Sequence, residues 1–233
     1  MVESRRTALL QATLAVFEKD MRVELRTRYA LNALAMFVLT TVLVASFYLG
    51  PQLQPGDPNA PAALATLLWI AILFAALTGL ARAFVGEEEA QTAAFLRLHA
   101  PPLAIFWGKW LVNALLLAGL LLLTTLCFGL LTALRVGNFP LLLVAQGLGG
   151  AGLASATTIV GAIIARASAR SALFAALAVP VLFPLLVLAV QTTDWALAGK
   201  AFADARRNLI GMSAYTVALT TVSVLLFPFV WEA

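Results

Sequence analysis

Few residues of this chain have side chains that could perform chemistry. The sequence contains one cysteine, Cys127, and one histidine, His99. A protein metal site normally uses three or four ligands, and no cysteine or carboxylate stands near His99 at ligand spacing. A single histidine also leaves little material for a nucleophile–base pair. We therefore expect no catalytic residue and no metal ligand in this chain, and we interpret Cys127 as a small apolar packing residue.

Two glycine patterns resemble nucleotide-binding motifs without completing them. The Gly108-Lys109 pair lacks the upstream glycine and the following serine or threonine of a phosphate-binding loop. The glycines of segment 147–152 lie in a charge-free run, with no acidic residue about 20 positions later. Small residues at four-residue steps, such as Gly147, Ala151 and Ser155, instead favour close helix packing in lipid. ATP hydrolysis is therefore expected in a partner chain.

The densest group of charged side chains is the acidic triplet at 87–89. Adjacent carboxylates repel one another, so they are best tolerated in water, at a helix N-terminus or opposite a basic partner. The composition of 90–98 favours a short helix, which Pro101-Pro102 ends. The segment therefore predicts a short surface helix with an acidic start. The alternative is a patch of solvated charge at a membrane edge.

The elements that position these candidate residues are predicted to be transmembrane helices. The chain of 233 residues is 62% hydrophobic and 11% charged, against about 45–50% and 25% in soluble domains. Six charge-free runs are long enough to cross a hydrocarbon layer about 30 Å thick. We predict an all-α integral membrane protein whose permease domain, 29–233, has spans at about 30–50, 62–81, 110–134, 139–164, 171–193 and 209–231.

Residues 1–28 are predicted to form an amphipathic interfacial helix before the first span. Its apolar face consists of Leu10, Leu14, Phe17, Met21 and Leu25, at steps of three and four residues. Its polar face includes Glu18, Lys19, Arg22 and Arg26. The spacing also predicts two ion pairs, Glu18–Arg22 and Glu24–Arg28. A helix of this kind lies in the headgroup layer, and the alternative is a loosely folded tail.

Basic residues predict the orientation. With six spans, Lys and Arg number 11 on the side of the N-terminus and 4 on the other, which places both termini in the cytoplasm. The outer basic residues include Lys200 and Arg206-Arg207, so 194–207 is a candidate for a short interfacial helix. The basic residues form no dense run that would indicate nucleic-acid binding.

The fifth predicted span contains Pro180 and Pro184, which predict a bent or broken helix. Such a break either lines a transport pathway or is a tolerated kink, and the sequence leaves both open.

Two cytoplasmic segments resemble a known family. Glu87-Glu88-Glu89, followed by Thr92, Leu96, Pro101-Pro102 and Gly108-Lys109, resembles the segment between spans two and three of type-2 ABC exporter permeases. The stretch 19–32, KDMRVELRTRYALN, and the pattern RxFxxEEE at 82–89 resemble haem exporter protein B, the permease B subunit of cytochrome c maturation systems. One departure is Ala90-Gln91, where the family usually has Asp-Gly before the threonine.

The resemblance implies a membrane complex with several partners. It implies a permease homodimer on two copies of a separate ABC ATPase subunit, in a bacterial inner membrane. Further partners would be a haem-handling permease C, a small single-span subunit and, indirectly, a periplasmic haem chaperone. This chain would bind no cofactor, the partner ATPase would bind ATP, and haem would be the substrate of the complex. The complex would export haem or release the loaded chaperone.

The resemblance also assigns roles to individual residues. The residues expected to couple to the ATPase are Glu87, Glu88, Glu89, Thr92 and Leu96. The residues expected to fix the interfacial helix beside them are Lys19, Asp20, Arg22, Glu24, Arg26 and Arg28. Other functions remain open, namely a permease exporting a lipid or drug and an ATP-independent membrane scaffold. A secondary transporter is disfavoured because the predicted spans carry no charge.

Overall fold

The computed structural model describes residues 2–49, 57–79, 82–132, 135–165 and 170–232, and within these ranges it contains nine α-helices and no strand. The helices are α1 (Val2–Thr27), α2 (Tyr29–Leu49), α3 (Ala60–Gly79), α4 (Arg82–Glu89), α5 (Ala93–His99), α6 (Pro102–Leu131), α7 (Phe139–Ile164), α8 (Arg170–Leu197) and α9 (Phe202–Glu232). Six helices, namely α2, α3, α6, α7, α8 and α9, are long and apolar enough to cross a membrane. The prediction of an all-α membrane protein with six spans is confirmed. The predicted ends of the first three spans, at 50, 81 and 134, lie outside the described residues.

Helix α7 lies at the centre of the bundle and has the largest buried share of the six spans. It packs against α3, α6, α8 and α9. A Cβ placed on Gly149 would stand 2.2 Å from the Trp69 ring, and one on Gly152 would stand 2.3 Å from Leu185. The predicted role of glycine in helix packing is therefore confirmed. It belongs to Gly149 and Gly152, however, because a Cβ on Gly147 would meet nothing within 4 Å.

Hydrogen bonds between side chains join the spans within the apolar interior. The indole N–H of Trp110 on α6 donates to Ser155 Oγ on α7 at 2.9 Å. The indole N–H of Trp69 on α3 donates to Thr193 Oγ1 on α8 at 2.9 Å. Such bonds contribute about 0.6 kcal/mol each in membrane proteins, so they fix the helix register more than they drive folding.

Helix α6 begins at Pro102, whereas the predicted third span began at 110. Proline is well suited to the first turn of a helix, since its missing N–H has no partner there. The sequence prediction stopped at Lys109 because a lysine marks the polar edge of a span. In the structure Lys109 lies inside α6 and is fully buried.

Helix α8 runs without interruption through Pro180 and Pro184, so the predicted break in the fifth span is not formed. The hydroxyl of Tyr215 on α9 donates to the carbonyl of Val181 at 2.5 Å. This bond joins α9 to α8 between the two prolines, each of which removes one donor from the helical hydrogen-bond ladder.

The connection between α8 and α9 corrects a second prediction. Residues 194–207 form no separate interfacial helix, since α8 continues to Leu197 and α9 starts at Phe202. The turn uses Gly199 at φ +77°, a conformation that favours glycine. A Cβ on Gly137 would stand 2.4 Å from the Gly199 Cα, and the Gly137 N–H donates to the Leu197 carbonyl at 3.2 Å. The short connection between α6 and α7 therefore packs directly on this turn.

We predict that Gly149→Val destabilises the protein strongly, because the new side chain would overlap the buried ring of Trp69. Overpacking of this kind costs about 1–3 kcal/mol. Thermal unfolding of the full chain in detergent measures the effect, with Gly147→Val as the matched control on the open face of α7. Equal unfolding temperatures for the two variants would contradict the packing described here.

Candidate functional site

Helix α1 crosses α6 at a glycine. A Cβ on Gly108 would stand 2.6 Å from Val16 Cγ1 and 3.1 Å from the Thr13 carbonyl oxygen. Both Thr13 and Val16 are buried at this contact. The close approach brings the next turn of α1, with Lys19 and Asp20, beside the residue that follows the glycine in α6.

That following residue is Lys109, and it forms the buried centre of a partly buried cluster of charges. Its Nζ lies 2.9 Å from Asp20 Oδ2 on α1 and 3.2 Å from Glu87 Oε1 on α4. Lys19 Nζ lies 2.8 Å from Asp20 Oδ1 and also contacts Glu87 Oε1. We call these four residues the charge cluster, and the end of the bundle that carries them the charged end. With two cations and two anions, the four side chains neutralise one another.

The surroundings of Lys109 explain why its charge must be paired. The Lys109 side chain has no exposed surface, and its Nζ lies 5.0 Å from the centroid of the Phe84 ring. Phe84 itself packs against Phe227 and Trp231 at the end of α9. An unpaired charge in such an apolar setting would cost several kcal/mol. Pairing therefore holds α1, α4 and α6 in one arrangement at the charged end.

Glu87 has the clearest electrostatic signature in the cluster. Burial alone would raise its pKa, but the Lys109 ammonium and hydrogen bonds from Lys19 and Thr92 outweigh burial and lower the pKa to about 2. Glu87 lies near the C-terminal end of α4, where a carboxylate meets the unfavourable end of the helix dipole. The two lysines offset this penalty and keep the carboxylate ionised at neutral pH.

A tight turn connects α4 to α5. The Thr92 N–H donates to the Glu87 carbonyl at 2.9 Å and the Gln91 N–H to the Glu88 carbonyl at 3.2 Å, which is the Schellman pattern of a helix C-terminus. Gln91 adopts φ +56°, a left-handed conformation that favours glycine. The family resemblance would place glycine at position 91. This chain has Gln91 there, at the position of the turn where glycine fits best.

The turn changes the role predicted for the acidic triplet. Helix α5 starts at Ala93, after Thr92, so the glutamates end α4 instead of starting the short helix. The predicted acidic start of the short helix is therefore wrong. The Glu87 carboxylate is stabilised by lysines of α1 and α6 and not by a helix N-terminus. The Thr92 hydroxyl donates to the Glu87 carboxylate and so connects the residue that precedes α5 to the charge cluster.

The other residues predicted to couple to an ATPase lie at different depths. Glu88 pairs with Arg97 at 3.2 Å, and the Arg97 guanidinium lies 4.9 Å from the Trp231 ring centroid. Leu96 is buried and packs inward, whereas Glu89 is exposed. Of the five predicted residues, Glu87 and Thr92 contact each other at the charge cluster. Glu88 contacts Arg97 and Leu96 is buried, so only Glu89 points outward, away from these contacts.

The residues predicted to fix the interfacial helix also fall into two groups, those in the charge cluster and those on the exposed side of α1. Lys19 and Asp20 belong to the charge cluster, while Arg26 is exposed. Arg22 pairs with Glu18 on the exposed side of α1, so this predicted ion pair is confirmed.

The second ion pair predicted for α1 is wrong. Glu24 Oε1 accepts the backbone N–H of Leu31 at 2.9 Å and so caps the first turn of α2. Arg28, at φ +51°, turns the chain between α1 and α2, and its Nε–H donates to the Leu25 carbonyl at 3.4 Å. The bend carries Arg28 out of the helical register that a Glu24–Arg28 pair requires.

Sequence reasoning missed Lys109 as a site residue, although it quoted the Gly108-Lys109 pair. The available signal was position, because Pro101-Pro102 can start a helix and would then place Lys109 inside a span. An ionisable residue within a membrane-spanning helix indicates function by default. It also missed Phe84, whose place beneath Lys109 depends on how α4 folds back.

The described part of the chain contains no group of three or more His, Cys, Asp or Glu residues that could hold a metal ion. His99 stacks on Phe95, with ring centroids 4.0 Å apart, at the exposed surface of α5. Cys127 is half-buried and packs against the apolar core of the bundle.

The fold and the site define a six-span helical membrane protein with a partly buried charge cluster that joins three helices at one end. A family model described as "CcmB protein" matches residues 11–229, and the chain belongs to the CcmB family. A curated relative, Heme exporter protein B of Bradyrhizobium diazoefficiens, is 28% identical over 225 residues, which cover 94% of this chain and 95% of the relative. The predicted resemblance is confirmed.

We predict that Lys109→Met lowers stability, because Asp20 and Glu87 would be left with one lysine between them. Removing one partner of a buried charge pair costs about 3–5 kcal/mol. Thermal unfolding of the full chain in detergent tests this, with Lys200→Met at the exposed turn after α8 as the control. The Glu87→Gln/Lys109→Met double variant is expected to lose less than the sum of the single variants. Additive losses would show that the two side chains do not interact.

We predict that Gln91→Gly stabilises the protein by about 1 kcal/mol, since it relieves a left-handed conformation held by a residue with a Cβ. The same measurement applies, and Gln11→Gly is the matched control. Gln11 is exposed in the middle of α1, where glycine is expected to cost about 1 kcal/mol. A loss of stability at both positions would contradict the role assigned to the turn.

Proposed function

We propose that this chain is the membrane permease subunit of an ABC-type haem export complex of cytochrome c maturation. It would couple ATP hydrolysis by a separate ATPase subunit to haem delivery or to release of a loaded haem chaperone. Membership of the CcmB family and the similarity to a relative named as a haem exporter support the proposal. The observation that carries the coupling role is the charge cluster, which connects the short helix α5 to a membrane span.

The outer face of α5 is the part of the charged end best suited to contact an ATPase. Phe95 is 63% exposed and Leu98 is 83% exposed, and both project from a helix too short to enter the membrane. Exposed apolar side chains of this size at a polar end favour burial against a protein partner. Glu89 is exposed on the neighbouring turn and adds a charge at the rim of this face.

The inner face of α5 provides the route from that contact to the spans. Thr92 donates to Glu87, and Glu87 pairs with Lys109 of α6 and Lys19 of α1. A displacement of α5 by the ATPase therefore alters the environment of a fully buried lysine. Since breaking that pair is costly, α6 and α1 follow α5. In this mechanism Glu87, Thr92 and Leu96 transmit the displacement, while Glu88 positions Arg97.

The orientation follows the distribution of basic residues. The charged end faces the cytoplasm of a bacterium, both termini lie on that side of the inner membrane, and the described part of α1 exposes Leu10, Leu14 and Leu25. An amphipathic helix with such a face lies in the headgroup layer.

The working complex contains a permease homodimer, two ATPase copies, a permease C and a small single-span subunit, with the periplasmic chaperone as an indirect partner. ATP belongs to the ATPase, and haem is the cargo of the complex.

We predict that Phe95→Asp/Leu98→Asp loses the ATPase, because two charges replace the apolar contact. The measurement is co-purification from native membranes in mild detergent, followed by mass spectrometry of the retained subunits. Phe202→Asp is the matched control, an exposed phenylalanine at the opposite end of α9. We expect at least a tenfold loss of ATPase for the double variant and none for the control.

Retention of the ATPase by the double variant would contradict the contact assigned to α5. Recovery of an ATPase without a haem-handling permease would contradict the haem maturation complex and favour another exported substrate. Cytochrome c maturation that continues with a catalytically dead ATPase would contradict coupling and favour a scaffold.

A further inference from the structure

A cavity of about 300 Å³ opens at the charged end, away from the charge cluster. It lies between α5, the end of α7 and the end of α9. Its apolar wall includes Ala162 and Ile163 of α7 and Val230 of α9, and its polar wall consists of Glu88, Arg97 and Trp231. The proposed coupling mechanism does not use this space.

Two residues that line the cavity carry unsatisfied hydrogen-bond donors. Arg97 Nε and Trp231 Nε1 are both buried and have no hydrogen-bond partner among the described residues. Trp231 is only 4% exposed, and its ring lies 4.9 Å from the Arg97 guanidinium carbon. A buried donor without a partner costs about 1–3 kcal/mol. An oxygen acceptor from outside the described residues would satisfy both donors of this stacked pair.

The third polar wall residue restricts the chemistry of that acceptor. Glu88 lines the same cavity, where its Oε1 accepts from Arg97 Nη2 at 3.2 Å. A simple anion would meet the Glu88 carboxylate and be repelled. A zwitterion avoids this conflict, since its phosphate can accept from Arg97 and Trp231 while a primary ammonium donates to Glu88. The cavity therefore offers complementary groups for both charges of one headgroup.

We propose that this cavity binds the headgroup of a phospholipid with a primary ammonium, a phosphoethanolamine lipid. A lipid is favoured over a soluble molecule because α7 and α9 are both membrane-spanning helices. Phe229 and Leu226 of α9, one and four residues before the lining residue Val230, are 77% and 47% exposed, so an acyl chain can continue from the cavity along the outer surface of α9. Tryptophan also favours the headgroup level of a membrane. The bound lipid joins Glu88 and Arg97 to the ends of two spans.

The test uses the full chain, purified in detergent and delipidated, with equimolar isotope-labelled phosphatidylethanolamine, phosphatidylcholine and phosphatidylglycerol. Native mass spectrometry counts each bound lipid. We expect phosphatidylethanolamine to be retained about tenfold over the other two. Trp231→Phe, which keeps the ring and removes one donor, is expected to lower that retention about fivefold, as the loss of one hydrogen bond implies. Trp195→Phe, near the opposite end of the bundle, is the matched control and is expected to change nothing.

Two further experiments test which headgroup group Glu88 recognises and whether the ligand is a lipid or a soluble molecule. Glu88→Gln is expected to abolish the preference for phosphatidylethanolamine over phosphatidylcholine, because only the primary ammonium can donate hydrogen bonds to the carboxylate. Glycerophosphoethanolamine, which lacks acyl chains, is expected to displace no lipid at equal concentration. Arg97→Lys removes the other donor and replaces Trp231→Phe if that variant unfolds below the wild-type temperature.

Several results would overturn the proposal. Equal retention of the three lipids by the wild type would show that the cavity does not select a headgroup. Preference for phosphatidylglycerol would assign an anionic ligand, and displacement by glycerophosphoethanolamine would assign a soluble one. Unchanged retention in both donor variants would show that Trp231 and Arg97 do not bind the phosphate. None of these results depends on the ATPase, so the proposed function is tested separately.

Discussion

The arrangement of the charged end depends on one ammonium group inside a membrane span. Lys109 has no exposed surface, so its charge is tolerated only while Asp20 and Glu87 remain beside it. That requirement explains the other local features. Gly108 allows α1 to approach, the end of α4 presents Glu87, and Phe84 lines the remaining side of the lysine. Three helices, α1, α4 and α6, are thus held together by the need to neutralise one charge.

The charge cluster also connects a membrane-spanning helix to helices at the surface of the protein. Helix α6 spans the apolar layer, α1 runs along the surface of the bundle, and α5 projects apolar side chains outward. In many proteins such peripheral helices are attached by apolar contacts alone, which tolerate small shifts. A charge cluster with a buried centre is less tolerant, because its energy changes steeply with distance in a medium of low polarity. This steep dependence on distance supports the proposed transmission of a displacement from α5 to the spans.

The global fold could be predicted from the sequence, and the site only in part. Long charge-free runs define the spans directly, because the hydrocarbon layer sets their length. Glu87, Lys19 and Asp20 could be named from the family resemblance, but their mutual contact depends on the crossing of α1 and α6 at Gly108. Lys109 was taken as a span boundary because its partners are 22 and 89 residues away in sequence. Helix α8 also continues through Pro180 and Pro184, and between the two prolines Tyr215 of α9 donates to the Val181 carbonyl, a contact that depends on packing between helices.

The contact between Gly137 and Gly199 has a mechanical consequence for the whole bundle. It joins the connections on either side of α7 and α8 backbone to backbone, at the end of these helices opposite the charge cluster. Helix α7, with 26 residues, is about 39 Å long at 1.5 Å per residue. A tilt of about 5° around such a fixed junction moves the far end of the helix by roughly 3 Å. If α7 tilted about the paired glycines, a small rotation there would become a displacement comparable to the length of a hydrogen bond at the charged end.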